Sequence, residues 1–272
     1  MSGPVLEVEN LSLSFIRGGG FGGGGTRPVV NLSLDVKRGE ALAVIGASGS
    51  GKSLLAAAVL GILPANCVAT GGIRYEGAAL TAKRAESLRG NVIRLIPQSV
   101  SSLNPLWDVG RQLRRAAALA GIPGVDVAAA VTKMVERYGL RRDVLDLFPH
   151  QLAGGMARRI LTATATLGKP RLIVADEPTT GLDAAALRDS LRHLRELADA
   201  GCAVLIITHD LSAAAEFADR VTVFHEGRSI DTFGAGALAA GCGCGPLHPY
   251  SRALWRALPG VEFLPTFAGT GS

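Results

Sequence analysis

The sequence predicts an α/β fold: a parallel sheet with crossover helices, into which a helical block is inserted. Three observations predict it. Short apolar runs alternate with longer helical patterns along most of the chain. A glycine-rich stretch, GASGSGKS, joins one such run to an apolar helix. Residues 108–168 are Ala- and Leu-rich and mostly helical in pattern, broken by GIPG and FPH. At 272 residues the chain is long enough for one large domain with a subdomain and a substantial core.

In chain order, the strands are VLEVE (5–9), ALAVI (41–45), VIRLI (92–96), RLIVA (171–175), AVLII (203–207) and RVTVF (220–224). VVNLSLDV (29–36) alternates with a period of two and reads as a half-exposed antiparallel strand. GGGFGGGG (18–25) is a loop whose composition carries no chemistry. HQLAGGMARR (150–159) opens a helix on two adjacent glycines and carries Arg158 and Arg159, the way a chain prepares a phosphate site. After Gly234 the chain is Gly/Ala-rich and then forms a short helix, SRALWRAL.

Charge and composition narrow the function classes. The formal charge of +5 is scattered, without the run of like charges that makes a nucleic-acid arm. MSGPVLEVEN has acids where a secretion signal needs a basic end and an apolar run. No apolar stretch approaches the roughly 18 residues of a membrane span, so the expectation is a cytosolic chain. The four cysteines suggest no disulfide framework. Cys67 and Cys202 sit in apolar surroundings, and Cys242 with Cys244 falls short of the about four ligands of a closed metal site.

Chemistry is concentrated at the strand ends. GASGSGKS (46–53) follows a strand and precedes a helix, the context that G-x-x-x-x-G-K-[ST] requires. Gly46, Gly49 and Gly51, with Ser48, Ser50 and Leu54, let backbone N–H groups curl around phosphate oxygens where a Cβ would obstruct them. Lys52 brings a cation to the β- and γ-phosphates, and the Ser53 hydroxyl offers an oxygen to Mg²⁺. RLIVADEP (171–178) ends a buried strand in Asp176, a Mg²⁺ ligand, and Glu177, which would orient or deprotonate the attacking water. Gln98 in IPQS is placed to reach the metal or the water, and His209 in IITHD to contact the γ-phosphate.

The order P-loop, Gln98, LAGGM, IVADEP, TTGLD, ITHD resembles the ATP-binding subunit of an ABC transporter, over about residues 5–232. The resemblance implies a P-loop NTPase (RecA-like) core with an antiparallel β subdomain and an inserted α-helical subdomain. It places the ATPase domain at 1–240, the helical insert at about 100–168 and a short C-terminal extension at 241–272. SLNPLWDVGRQL (102–113) and PLHPYSRALWRALPG are similar to the subunits that energise bacterial peptide and nickel importers, with GSGKSLLAAAVLGILPANCVATGG nearest the nickel type.

In this family two ATPase subunits face each other, and each ATP lies between one P-loop and the other subunit's signature motif. By resemblance that motif is Leu152, Ala153, Gly154, Gly155 and Met156. Ala153 stands where the family usually has serine, which implies that the opposite site closes less tightly and that a different partner chain is favoured over a second copy. Asp183 is expected at the dimer seam, or as a cap for helix 184–199. Phe15 is the candidate to stack on adenine, with Phe21 behind it, while His248 and Trp255 read as packing residues. The expected cofactors are ATP and Mg²⁺. The expected partners are a second ATPase subunit, two permease subunits and an external solute-binding protein, at the cytoplasmic face of a membrane.

Three rivals remain. A soluble ABC-type ATPase on nucleic acid would usually show two cassettes, a coiled-coil insert or a zinc module. A GTPase would need an N-K-x-D element, which the sequence lacks. A nucleotide-binding scaffold would lack turnover.

Overall fold

Strands β3 (Ala41–Ile45), β7 (Leu172–Asp176) and β8 (Ala203–Thr208) are buried along their whole length, and their side chains divide between two cores. Ala203, Leu205 and Ile207 of β8 join one cluster, while Val204 and Ile206 join another on the opposite face. That alternation is the period of two of a strand covered on both sides, which is why these strands read as continuous apolar runs. The computed structural model describes residues 3–16, 26–47, 49–236 and 247–256; Phe21, Ser48, Cys242 and Cys244 lie outside them.

The main sheet has six strands in the order β10-β9-β3-β8-β7-β6, with β6 at Ile93–Ile96, β9 at Arg220–His225 and β10 at Arg228–Gly234. All neighbours are parallel except the β9–β10 hairpin. On one face lie helix α1 (Lys52–Val59) and a second sheet. Helices α6 (Ala184–Asp199) and α7 (Leu211–Phe217) cover the other, through Leu191, Leu194 and Phe217.

The second sheet is the antiparallel β subdomain that the resemblance implies, but it takes in a segment expected elsewhere. The segment at 5–9, read as part of the parallel sheet, is the start of β1 (Leu6–Phe15), which lies antiparallel between β2 (Val29–Val36) and β4 (Cys67–Tyr75). β4 and the two-residue β5 (Ala78–Ala79) were not predicted. The pairing of β1 shifts register around Asn10, whose φ is +49°, a value asparagine tolerates better than most residues. Opposite it stands Gly71, where a Cβ would lie 2.4 Å from the Asn10 carbonyl oxygen. The bulge thus requires a glycine in mid-strand, and that glycine hides β4 from a reading based on alternation.

Helix α2 (Ala82–Leu88) leads into β6. After β6 come α3 (Val109–Leu119), α4 (Val127–Arg137) and α5 (Gly154–Thr166), packed through Leu113, Val131, Val135, Ile160 and Leu161. Asp108 caps α3 by accepting the Arg111 N–H at 2.6 Å. Helix α8 (Pro249–Arg256) buries Trp255 against the main sheet beside Ile45 and Val221. Tyr250 stacks on His225 with ring centroids 3.8 Å apart, and Asp231 accepts the His248 N–H at 2.9 Å.

A polar clasp joins this helical block to α6. The Tyr138 hydroxyl lies 2.6 Å from His193 Nδ1 and 3.1 Å from Thr166 Oγ1, all in the interior. Burial lowers the His193 imidazole from 6.5 to about 4, and the Arg137 cation pushes the same way. Below about pH 6.5 the unfolded chain therefore binds a proton that the folded chain refuses until about pH 4. Stability is expected to fall across that window by on the order of 2–3 kcal/mol. Denaturant melts at stepped pH check this. His193→Gln should flatten the acid limb; an unchanged limb would assign it to carboxylates instead.

Candidate active site

Two glycines after β3 are fixed by close approach. A Cβ on Gly46 would lie 2.1 Å from the Phe224 carbonyl oxygen, and one on Gly51 would lie 2.5 Å from that of Pro28. Gly49 and Gly51 also take φ of +78° and +98°, where a side chain is strained. Gly51 is the N-cap of α1 and supplies no side-chain bond, so the helix start keeps N–H groups for an anion. Lys52 is buried, and its ammonium donates to the carbonyls of Gly46 and Ala47, both at 2.8 Å, and to Ser50 Oγ at 3.3 Å. Burial pulls the Lys52 pKa down, while Glu177 and Asp176 hold it up.

The acids come from the neighbouring strand but one. Asp176 ends β7, paired with Ile207 of β8. Glu177 has a φ of +48° and donates its N–H to the Ile207 carbonyl at 2.8 Å. For a glutamate that backbone costs about 1–3 kcal/mol and persists where surroundings enforce it, often at functional sites. Both Glu177 carboxylate oxygens lie 2.9 Å from Nδ1 of His209, whose ring is mostly exposed. Glu177, Gln98, Lys52, Ser53, Leu54, Gly49, Gly51 and Pro28 line one cavity of about 290 Å³.

Oxygen donors beside it suit Mg²⁺. Asp176 Oδ1 is buried without a hydrogen-bond partner. Burial raises the Asp176 carboxyl, with Glu177 adding to the rise, against the Ser53 hydroxyl and the Lys52 and Arg158 cations. An orphaned carboxylate oxygen next to a hydroxyl fits a hard cation that keeps several waters.

The remaining sequence candidates lie elsewhere. Phe15 ends β1 opposite Cys67 and is not among the described residues lining the cavity. Ala153 is the N-cap of α5 with no side-chain bond, and Ala153 and Gly154 are exposed. A Cβ on Gly154 would meet nothing within 4 Å, and one on Gly155 only the Gly181 carbonyl oxygen at 3.9 Å. Asp183 caps α6, accepting the N–H groups of Ala185 at 3.0 Å and Ala186 at 2.8 Å. Those bonds, that to Ala186 foremost, hold its carboxyl low.

Arg158 and Arg159 correct the reading of this helix as a phosphate site with its own cations. Arg158 is buried and donates to the carbonyls of Pro97, Gln98 and Thr180. Arg159 donates to the carbonyls of Gly155 and Tyr138. The Arg158 acceptors come from remote loops, which no local pattern announces, whereas Arg159 folds back on its own helix at Gly155 and reaches Tyr138. Pro28, part of the cavity wall, also escaped the sequence reading, for it carries no reactive group.

Strand β3, its loop and α1 have the form of a P-loop nucleoside triphosphatase, with β7 supplying the acids that the loop lacks. A family model, ABC transporter, matches residues 29–180. The oligopeptide transport ATP-binding protein OppD of Lactococcus lactis subsp. cremoris (strain SK11) is 35% identical over 95% of this chain and 77% of its own. The glutathione import ATP-binding protein GsiA of Pectobacterium atrosepticum is 37% identical over 94% of this chain and 42% of its own. Among solved structures, an ATP-binding subunit of an ABC transporter matches with a TM-score of 0.74 at 26% identity, covering 93% of this chain and 98% of that one. A dimeric ATP-binding cassette bound to ADP and Pi matches at 0.75 and 22% identity, over 85% and 98%, a likeness of fold. The chain belongs to the ABC transporter family, among its ATP-binding proteins, and is an ABC-type ATPase.

Proposed function

We propose that this ATPase energises a membrane importer of peptides, as one of two facing cassettes at the cytoplasmic surface. The observation that carries the facing arrangement is the start of α5. Gly154 and Gly155 have helical backbones and room for a Cβ, and glycine is a poorer helix former than alanine. Nothing among the described residues demands them, so we assign the demand to a ligand approaching from outside. A triphosphate held by a partner's P-loop meets that demand, received by the free N–H groups of the helix start.

In this chain's own site, the backbone of residues 46–51 and Lys52 hold the phosphates. Ser53 and Asp176, with Gln98 nearby, would hold Mg²⁺, which would supply charge neutralisation on the phosphate oxygens. Glu177 accepts the proton of the attacking water, and His209 fixes the carboxylate through both of its oxygens. Asp183 stands at the seam. The cassette spans about 1–240, with 100–168 as its inserted block and 241–272 as an extension.

A groove of about 740 Å³ lies between the main sheet and the inserted helices, lined among others by Ile62, Arg89, Asn104, Trp107, Arg115 and Leu119. Ile62 and Leu119 expose nearly half their surface. An apolar wall with arginines suits a cytoplasmic helix of a permease that carries acidic residues. Two permeases and an external binding protein complete the assembly.

The stretch at 49–72 is nearest the nickel type, but the relatives named as oligopeptide and glutathione transport proteins support peptides ahead of chelated nickel. They give the nucleic-acid reading no support. Uptake of a labelled peptide by vesicles holding this chain with its permeases tests the cargo, and uptake of a nickel chelate alone would reject peptides.

Ala153 and Gly154 provide a paired test in the assembled transporter. Ala153→Ser adds a donor to a charged oxygen, about 1.5–3 kcal/mol or roughly ten- to a hundredfold, and should raise turnover and nucleotide trapping. Gly154→Ala should raise the melting temperature of the chain while cutting turnover by about tenfold or more. Unchanged turnover in both would remove residues 152–156 from the site.

A further inference from the structure

Arg158 is 3% exposed, one helical turn into α5. Its guanidinium donates from Nη1 to the Pro97 carbonyl at 2.6 Å, from Nη2 to that of Gln98, and from Nε to that of Thr180 at 3.3 Å. Two of these acceptors lie in the loop after β6, and the third in the loop that follows Glu177. All are neutral backbone oxygens. Burial lowers the Arg158 pKa, and the nearby carboxylates of Asp176 and Glu177 counter it. A buried cation is a costly way to fill space, and apolar side chains of similar volume often serve stability as well or better. What a guanidinium adds is a planar fork whose donors reach three acceptors at once, which a point-like ammonium cannot copy.

We propose that Arg158 is a positioning residue for hydrolysis. It ties the helix that opens at Gly154 to the backbone of Gln98 and to the loop behind Glu177, so these three segments move as one body. The helix start faces a partner's nucleotide, whereas Gln98 and Glu177 line the cavity of this chain's own P-loop. Engagement at the first is thereby transmitted to the geometry of the second. This inference rests on the facing-cassette reading above.

The chain assembled with its partner cassette and permeases tests it through Arg158→Met, which keeps much of the volume, and Arg158→Lys, which keeps the charge. Steady-state phosphate release, titration with a fluorescent ATP analogue and thermal melting are measured on each, with Glu177→Gln as background. For Arg158→Met we expect kcat to fall by about ten- to a hundredfold, the range for a misplaced catalytic group, with KM, analogue binding and melting much less affected. Arg158→Lys should recover only part of kcat. A folded Arg158→Met with the parental kcat overturns the proposal, as does a parallel loss of kcat, binding and melting temperature in both variants. If the methionine variant fails to fold, Arg158→Lys with full kcat overturns it. If the parental chain releases no more phosphate than Glu177→Gln, the hydrolytic site reading fails and this inference falls with it. Parental turnover above that background, matched by Arg158→Met, sinks this inference alone.

Discussion

Glu177→Gln is expected to stop ATP turnover while MgATP still binds, a loss of about 10²–10⁴-fold for a missing general base. The substitution suits the site because it changes little else. An amide fills the same volume, its oxygen can still accept from His209 Nδ1, and the backbone N–H keeps its bond to the Ile207 carbonyl. The loss therefore isolates the basicity of one oxygen. Phosphate release measures turnover, and fluorescent-nucleotide titration measures binding. Retained turnover near the parental rate would move the base elsewhere and leave Glu177 a strained loop residue. Turnover lost with binding retained also rejects the reading of this chain as a scaffold.

Lys52→Ala should act one step earlier, on binding. The ammonium now satisfies itself on the carbonyls of Gly46 and Ala47, so it spans the loop where phosphate oxygens would lie. Trading those acceptors for a triphosphate exchanges neutral oxygens for charged ones. A hydrogen bond to a charged group is worth about 1.5–3 kcal/mol, so losing two lowers MgATP affinity by about a hundredfold or more. Burial already disfavours the charged lysine, so the melting temperature without nucleotide should change little. The nucleotide-induced rise in melting temperature should vanish, since it follows affinity by mass action. A variant that keeps that rise would show that backbone groups alone hold the phosphates.

The two substitutions separate capture from chemistry, and the structure explains why they separate. Lys52 opens α1 and belongs to the loop after β3, whereas Glu177 follows β7 with β8 between the two strands. The cavity joins them only because parallel strands deliver their C-terminal ends to the same edge of the sheet.

Much of this was legible in the chain itself. The loop at 46–53 announces itself because positive φ and close approach are local demands that glycine answers locally. The buried strands are visible because burial on both faces leaves an uninterrupted apolar run, and Gly46, Asp176 and Thr208, which end the three runs, mark the sheet edge. The cap at Asp183 is likewise a matter of four consecutive residues, 183–186.

Tertiary structure decided the rest. β4 exists because Gly71 accommodates a carbonyl from the Asn10 bulge, a contact across 61 positions of the chain (71 minus 10) that turns a strand residue into an apparent breaker. Arg158 looked like a phosphate ligand and became a buried tie, because its acceptors are backbone oxygens, and every residue type has one. Tyr138 and His193 likewise met through folding alone. Sequence determined which groups the chain could offer at each strand end and helix start, since those follow from backbone rules spanning a few residues. Which groups meet, and which are withdrawn from solvent to hold others in place, depended on packing between distant segments, where the energy of a contact belongs to neither partner alone.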